Sequence, residues 1–97
     1  MIVGAALLEL HVHGSHSLKE KRHVMTSLRN AVESKFSVSF AEVDHQDKWQ
    51  RAAVGVAAVA PQAGQLDRIL VAVRKAVESH PGVEVLEYTV AHMENER

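Results

Sequence analysis

The residues best suited to chemistry crowd into "HVHGSHSLKEKR", residues 11–22, where three histidines and three cations surround one glycine. His11 and His13 are two positions apart, so on a strand they point to one face, and such a pair can chelate a transition metal. His16 or His45 would supply a further ligand. The spacing lacks the carboxylate that an H-E-x-x-H motif provides, and among seven histidines such a pair arises readily by chance. The expectation is therefore no cofactor and no native metal, with His11, His13 and His16 as the candidates should a small-ligand or metal-binding regulator be the better description.

The second half of the same stretch suits anions. Ser17, Lys19, Lys21 and Arg22 fall on the first turns of a helix, where free backbone N–H groups and the helix dipole favour negative charge. Ser17 and Glu20 form an S-x-x-E capping box, which leaves the cations to an outer face. Cations in a first turn run against the dipole preference, so they are not explained by helix stability. A second polar stretch, "DHQDKWQR" at 44–51, carries the only tryptophan, Trp49, next to Lys48 and near Arg51. An indole there can stack on a base or anchor a partner. Folding over the sheet edge as a structural cover is the preferred reading, with Asp47 capping the turn. The expected anion- or RNA-binding set is Ser17, Lys19, Lys21, Arg22, Trp49 and Arg51.

Catalysis finds less support. Glu9, Glu42, Asp44 and Asp47 are not paired by spacing, and the chain has no nucleophile elbow, P-loop or glycine-rich dinucleotide turn. Ser15 and Ser17 neighbour His13 and His16 only in sequence, which is not the geometry of a triad. A non-enzymatic role is expected.

These residues must be positioned by a small scaffold. Ninety-seven residues make one compact domain, and 46% apolar composition excludes a disordered chain. A net charge of −1 disfavours avid nucleic-acid binding while permitting a local basic patch. With no cysteine, disulfides and thiolate metal sites are excluded. The apolar N-terminus alternates and lacks a basic leader, so it reads as a strand, not a signal peptide, and no run approaches the length of a membrane helix. The cytoplasm is the expected compartment.

Residues 2–13 alternate as a first strand. Gly14 breaks it, and the helix that follows stripes Leu18, Met25, Leu28, Val32 and Phe36 along one side. "FSVSFAEV" and "RAAVGVAAVA" read as a hairpin around the polar loop, residues 63–80 as a second helix ended by His80-Pro81-Gly82, and "VEVLEYTVAHM" as a last strand. The domain then spans 1–93, with 94–97 as a frayed charged tail. The order β-α-β-β-α-β with right-handed crossovers is an α+β, ferredoxin-like fold: a four-stranded antiparallel sheet, order 4-1-3-2, with both helices on one face. That topology brings both polar stretches to one rim. It also leaves an open sheet face without aromatics on its central strands, where Val3, Ala5 and Leu7 form an apolar surface. Such a surface is expected to be an interface, most simply of a homodimer through the open face or an edge strand.

The letters "SLKEKR" at 17–22, "SL" at 27–28, "F-x-V-S" at 36–39, "AEV" at 41–43 and "QDKWQRA" at 46–52 resemble the YlxP-like family of small bacterial proteins, in register from about residue 2 to residue 93. His13 stands where that family often has proline, and Ser37 where it often has asparagine. The resemblance implies a ferredoxin-like fold in a bacterial cytoplasmic protein, with genes for translation-initiation and ribosome-assembly factors as frequent neighbours. The family has no established enzymatic activity, so the resemblance carries over no catalytic residues. Together with the basic rim, it leads to the expectation of an interaction module serving ribosome assembly or translation, with ribosomal RNA or a ribosome-associated protein as partner and no membrane role.

Overall fold

The computed structural model describes residues 1–94, in the order β1 (Ile2–Val12), α1 (Leu18–Lys35), β2 (Ser39–Asp44), β3 (Arg51–Ala60), α2 (Ala63–Glu78), β4 (Val83–Glu94). All pairings are antiparallel and the sheet runs β2-β3-β1-β4, the 4-1-3-2 arrangement. The fold is α+β and ferredoxin-like. The last strand extends one residue past the expected end of the domain, to Glu94, and positions 95–97 of the expected tail lie outside the described residues.

Alternation in β1 and β3 decides which face is dry. Ile2, Ala6, Leu8, Leu10 and Val12 are buried, as are Ala52, Val54, Val56, Ala58 and Ala60 across the β1–β3 ladder. The helices cover this face with Met25, Leu28 and Val32 from α1 and Leu66, Leu70, Val73 and Val77 from α2. Gly4 lets α2 approach: a Cβ there would lie 2.5 Å from Leu66 Cδ2 and 3.1 Å from its Cγ. Among the described residues no helix is long and apolar enough to cross a membrane.

Local signals act as expected at α1. The Ser17 side chain accepts from Glu20 N at 3.1 Å, closing the cap. Two boundaries differ from expectation. Strand β2 begins at Ser39 rather than Phe36, because Phe36 serves as the C-cap of α1, its N–H on Val32 O, and packs against the core with Val38. Helix α2 stops at Glu78, with Ser79 Oγ donating to Lys75 O at 2.8 Å.

Candidate functional site

The ends of β1 and β2 and the starts of α1, β3 and β4 meet at one rim, and both polar stretches lie there. Val12 N donates to Gln50 O at 2.9 Å, and Gln50 Nε2 reaches Ser15 O at 3.1 Å. Lys21 Nζ donates to His45 O at 2.6 Å. Ser15 is 2% exposed with its hydroxyl on Ser17 O, so it is a structural residue rather than a nucleophile.

Lys21 corrects the expected anion-binding set. It turns inward, 2% exposed, with its ammonium 2.8 Å from Glu42 Oε2. Glu42 Oε2 is itself buried and lacks a well-aligned hydrogen bond, so the close ion pair is what balances its charge. The stripe of α1 runs 18, 21, 25, 28, 32, and Lys21 fills the slot between Leu18 and Met25. A cation at a vacant stripe position was the readable signal.

His45 is held at the end of β2 with φ 63°, a left-handed conformation that histidine tolerates better than most residues. Asp44, not Asp47, caps this turn: its Oδ1 accepts from His45 N at 2.7 Å. The His45 ring crosses β3 to reach Glu9, Nε2 to Oε2 at 3.3 Å, with Arg51 Nη2 3.9 Å from the same oxygen. Ala53, which pairs with both Glu9 and Asp44, is 2% exposed as a result. The rim end of the open face is therefore roofed by a polar bridge, and Arg51 is partly committed to Glu9.

Lys19 and Arg22 are exposed on the outer face of α1 and pair with no carboxylate among the described residues. With His23, Thr26, Ser27 and Asn30 they line a shallow groove to which, among the described residues, no carboxylate contributes. Nearby acids are engaged elsewhere: Glu20 Oε2 accepts from His16 N, and Glu33 pairs with Arg29 at 3.1 Å. Ser17 is occupied by its cap. Trp49, in the loop between β2 and β3, is 52% exposed, so it is not the buried cover that was anticipated.

The histidine pair gains a partner the spacing did not show. His11 Nδ1 and His13 Nε2 lie 3.7 and 3.5 Å from Glu84 Oε1, and one ligand atom from each of the three residues lies within 4.8 Å of the other two. Neither His16 nor His45 belongs to this group. Glu84 arrives through a bulge: Glu9 pairs with Glu87 but Leu10 with Val85, leaving Leu86 extra. The extra residue switches the phase of β4, so Val83 and Val85 face the core while Glu84 faces out beside His11. The signal was a phase break in "VEVLEYTV", where the apolar alternation jumps from odd to even positions.

Away from the rim, the open face is apolar as expected. Val3, Ala5 and Leu7 line up with Val59, Ala57 and Gly55, and Leu7, Val59 and Met93 are 43%, 59% and 73% exposed. On the opposite face Tyr88 packs under Arg74, whose guanidinium lies 4.7 Å from the ring centre. Burial pushes the Tyr88 phenol above its ordinary value; Arg74 pulls it back down and Asp67 adds to the rise.

Comparison with known proteins adds a family. The model of a family described as "Protein of unknown function (DUF503)" matches residues 3–90. The chain belongs to this family. A relative, the "Uncharacterized protein YlxP" of Bacillus subtilis (strain 168), is 37% identical over 83 residues, covering 86% of this chain and 90% of that protein. The resemblance read from the SLKEKR and QDKWQRA motifs is thereby established. Among solved structures, the de novo designed protein Foldit4 superposes with a TM-score of 0.54 at 9% identity, covering 99% of this chain and 100% of that one. SnoaB, a cofactor-independent oxygenase from Streptomyces nogalater, superposes with a TM-score of 0.53 at 9% identity, covering 98% and 94%. At such identity these likenesses concern the fold alone.

Proposed function

We propose that this protein is a non-enzymatic, cytoplasmic interaction module that docks on structured RNA through the outer face of α1, in the setting of ribosome assembly or translation. The observation that carries the reading is the groove lined by Lys19, Arg22, His23 and Asn30, with no carboxylate in its lining among the described residues. Cations spaced along one helix face match a phosphate backbone, and hydroxyl and amide groups between them add hydrogen bonds that fix position without reading sequence. The smooth apolar half of the open sheet lies on the other side of the molecule. A second copy covers it in this reading, leaving both α1 faces outward. The gene neighbourhood that the family resemblance implies is what supports the translational setting.

The test is fluorescence anisotropy of labelled duplex and single-stranded RNA at low salt, with wild type and a Lys19→Ala/Arg22→Ala variant. Saturable binding by the wild type that disappears in the variant is expected. Equal binding by both, or none by the wild type, overturns the reading. Both positions are exposed, so the variant is expected to fold normally.

A further inference from the structure

The group at the start of β4 stands apart from the α1 groove, and its chemistry differs. We propose that His11 Nδ1, His13 Nε2 and Glu84 Oε1 form a three-ligand site for a divalent transition-metal ion such as zinc or nickel, open to solvent on the rim of the sheet.

The donor set is the first argument. Two imidazole nitrogens and one carboxylate oxygen are the ligands of open zinc sites and of related transition-metal centres. Hard cations such as magnesium prefer all-oxygen shells and are disfavoured.

The distances are the second. Metal–nitrogen and metal–oxygen bonds of about 2.0–2.2 Å require donors roughly 3.0–3.6 Å apart in tetrahedral or octahedral geometry. The two contacts to Glu84 Oε1 measure 3.5 and 3.7 Å, and one donor atom from each residue lies within 4.8 Å of the other two. Small side-chain rotations close the remainder. The imidazole rings stand edge to face, 79° between planes with centroids 4.3 Å apart, so they do not stack flat against each other.

Backbone pre-organisation is the third. His11 pairs with Glu84 and Val12 with Val83 in the β1–β4 ladder, and His13 N is held on Gly82 O at 2.8 Å. Gly82 has φ 84°, the turn that starts β4 in this register. The Leu86 bulge puts the carboxylate on the histidine side; without it, His11 would face Val85. The backbones of His11 and Glu84 are thus fixed by paired strands, and that of His13 by its bond to Gly82 O one residue past β1, before metal arrives, which lowers the ordering cost of binding. The exposed side chains of His13 and Glu84, 53% and 55%, leave the other coordination positions to water or a partner's donor.

Isothermal calorimetry on tag-free protein, with zinc chloride and nickel chloride as probes, tests the assignment. One equivalent per chain is expected, with affinity falling about tenfold or more in His13→Ala and in Glu84→Ala, since each removes one ligand of three. His16→Ala is expected to bind as the wild type does, and magnesium chloride to give no heat. Side-chain NMR of labelled histidine is expected to show zinc-dependent shifts at His11 and His13 and none at His16. Absence of binding, unchanged affinity in Glu84→Ala, or an equal loss in His16→Ala overturns it. Loss of RNA binding in the α1 variant has no bearing on these outcomes.

Discussion

Lys21 Nζ lies 2.8 Å from Glu42 Oε2 inside the protein, joining the first turn of α1 to the end of β2 with 2% of the lysine exposed. The same ammonium holds His45 O at 2.6 Å. One side chain therefore sets both the docking of α1 and the position of the loop that sends His45 over the sheet. Removing it leaves a carboxylate mostly shielded and uncompensated. Lys21→Met is expected to cost about 2–3 kcal/mol, below the full range for buried pairs because Glu42 keeps 26% exposure. The urea midpoint should fall with an unchanged m-value. Lys21→Met/Glu42→Leu should recover most of the loss, since neither charge is then stranded.

The lone tyrosine offers a clean pH readout. Tyr88 has its phenol raised chiefly by burial, and Arg74 counteracts the rise. Because the folded value lies above the unfolded one, folding favours the protonated phenol. Its contribution is present below the ordinary tyrosine value of about 10 and is lost as pH climbs from there through the folded value. Ultraviolet titration of tyrosinate in the native protein should show ionisation above the usual range. Arg74→Ala should move it higher still; a move downward would contradict the assigned role of the guanidinium.

The apolar half of the open face makes a statement about mass. Light scattering at micromolar concentration should return twice the 10.7 kDa of one chain. Placing charge in the middle of the patch, as in Leu7→Lys/Val59→Lys, should give a monomer that remains folded by circular dichroism, because both positions are already exposed. A wild type that runs as a monomer refutes the covered face.

Much of this architecture is legible in the letters. Alternation in β1 separated its two faces, and the S-x-x-E pattern located the start of α1, because these signals are local and each acts through one physical cause; β3, apolar at both alternate sets of positions, left its faces open. What escaped depends on neighbours in space. Lys21 reads as one more surface cation until the shielded Glu42 is known to lie across from it. Glu84 reads as an outward residue of no consequence until the Leu86 bulge places it opposite His11. Phe36 has the composition of a strand residue, yet the last turn of α1 claims it as a cap. The rim itself was legible, since chain topology alone brings residues 11–22 and 44–51 together. Which of their side chains stay free was not.

The salt dependence of RNA affinity tests the proposed docking face most directly. Each phosphate contact contributes about 0.9 to the slope of log affinity against log salt on a duplex and about 0.7 on a single strand. Replacing Lys19 and Arg22 together should therefore flatten that slope by about 1.8 on duplex RNA and weaken binding uniformly across RNA sequences. A slope that is the same in wild type and Lys19→Ala/Arg22→Ala, with affinity retained, would show that RNA does not sit on α1.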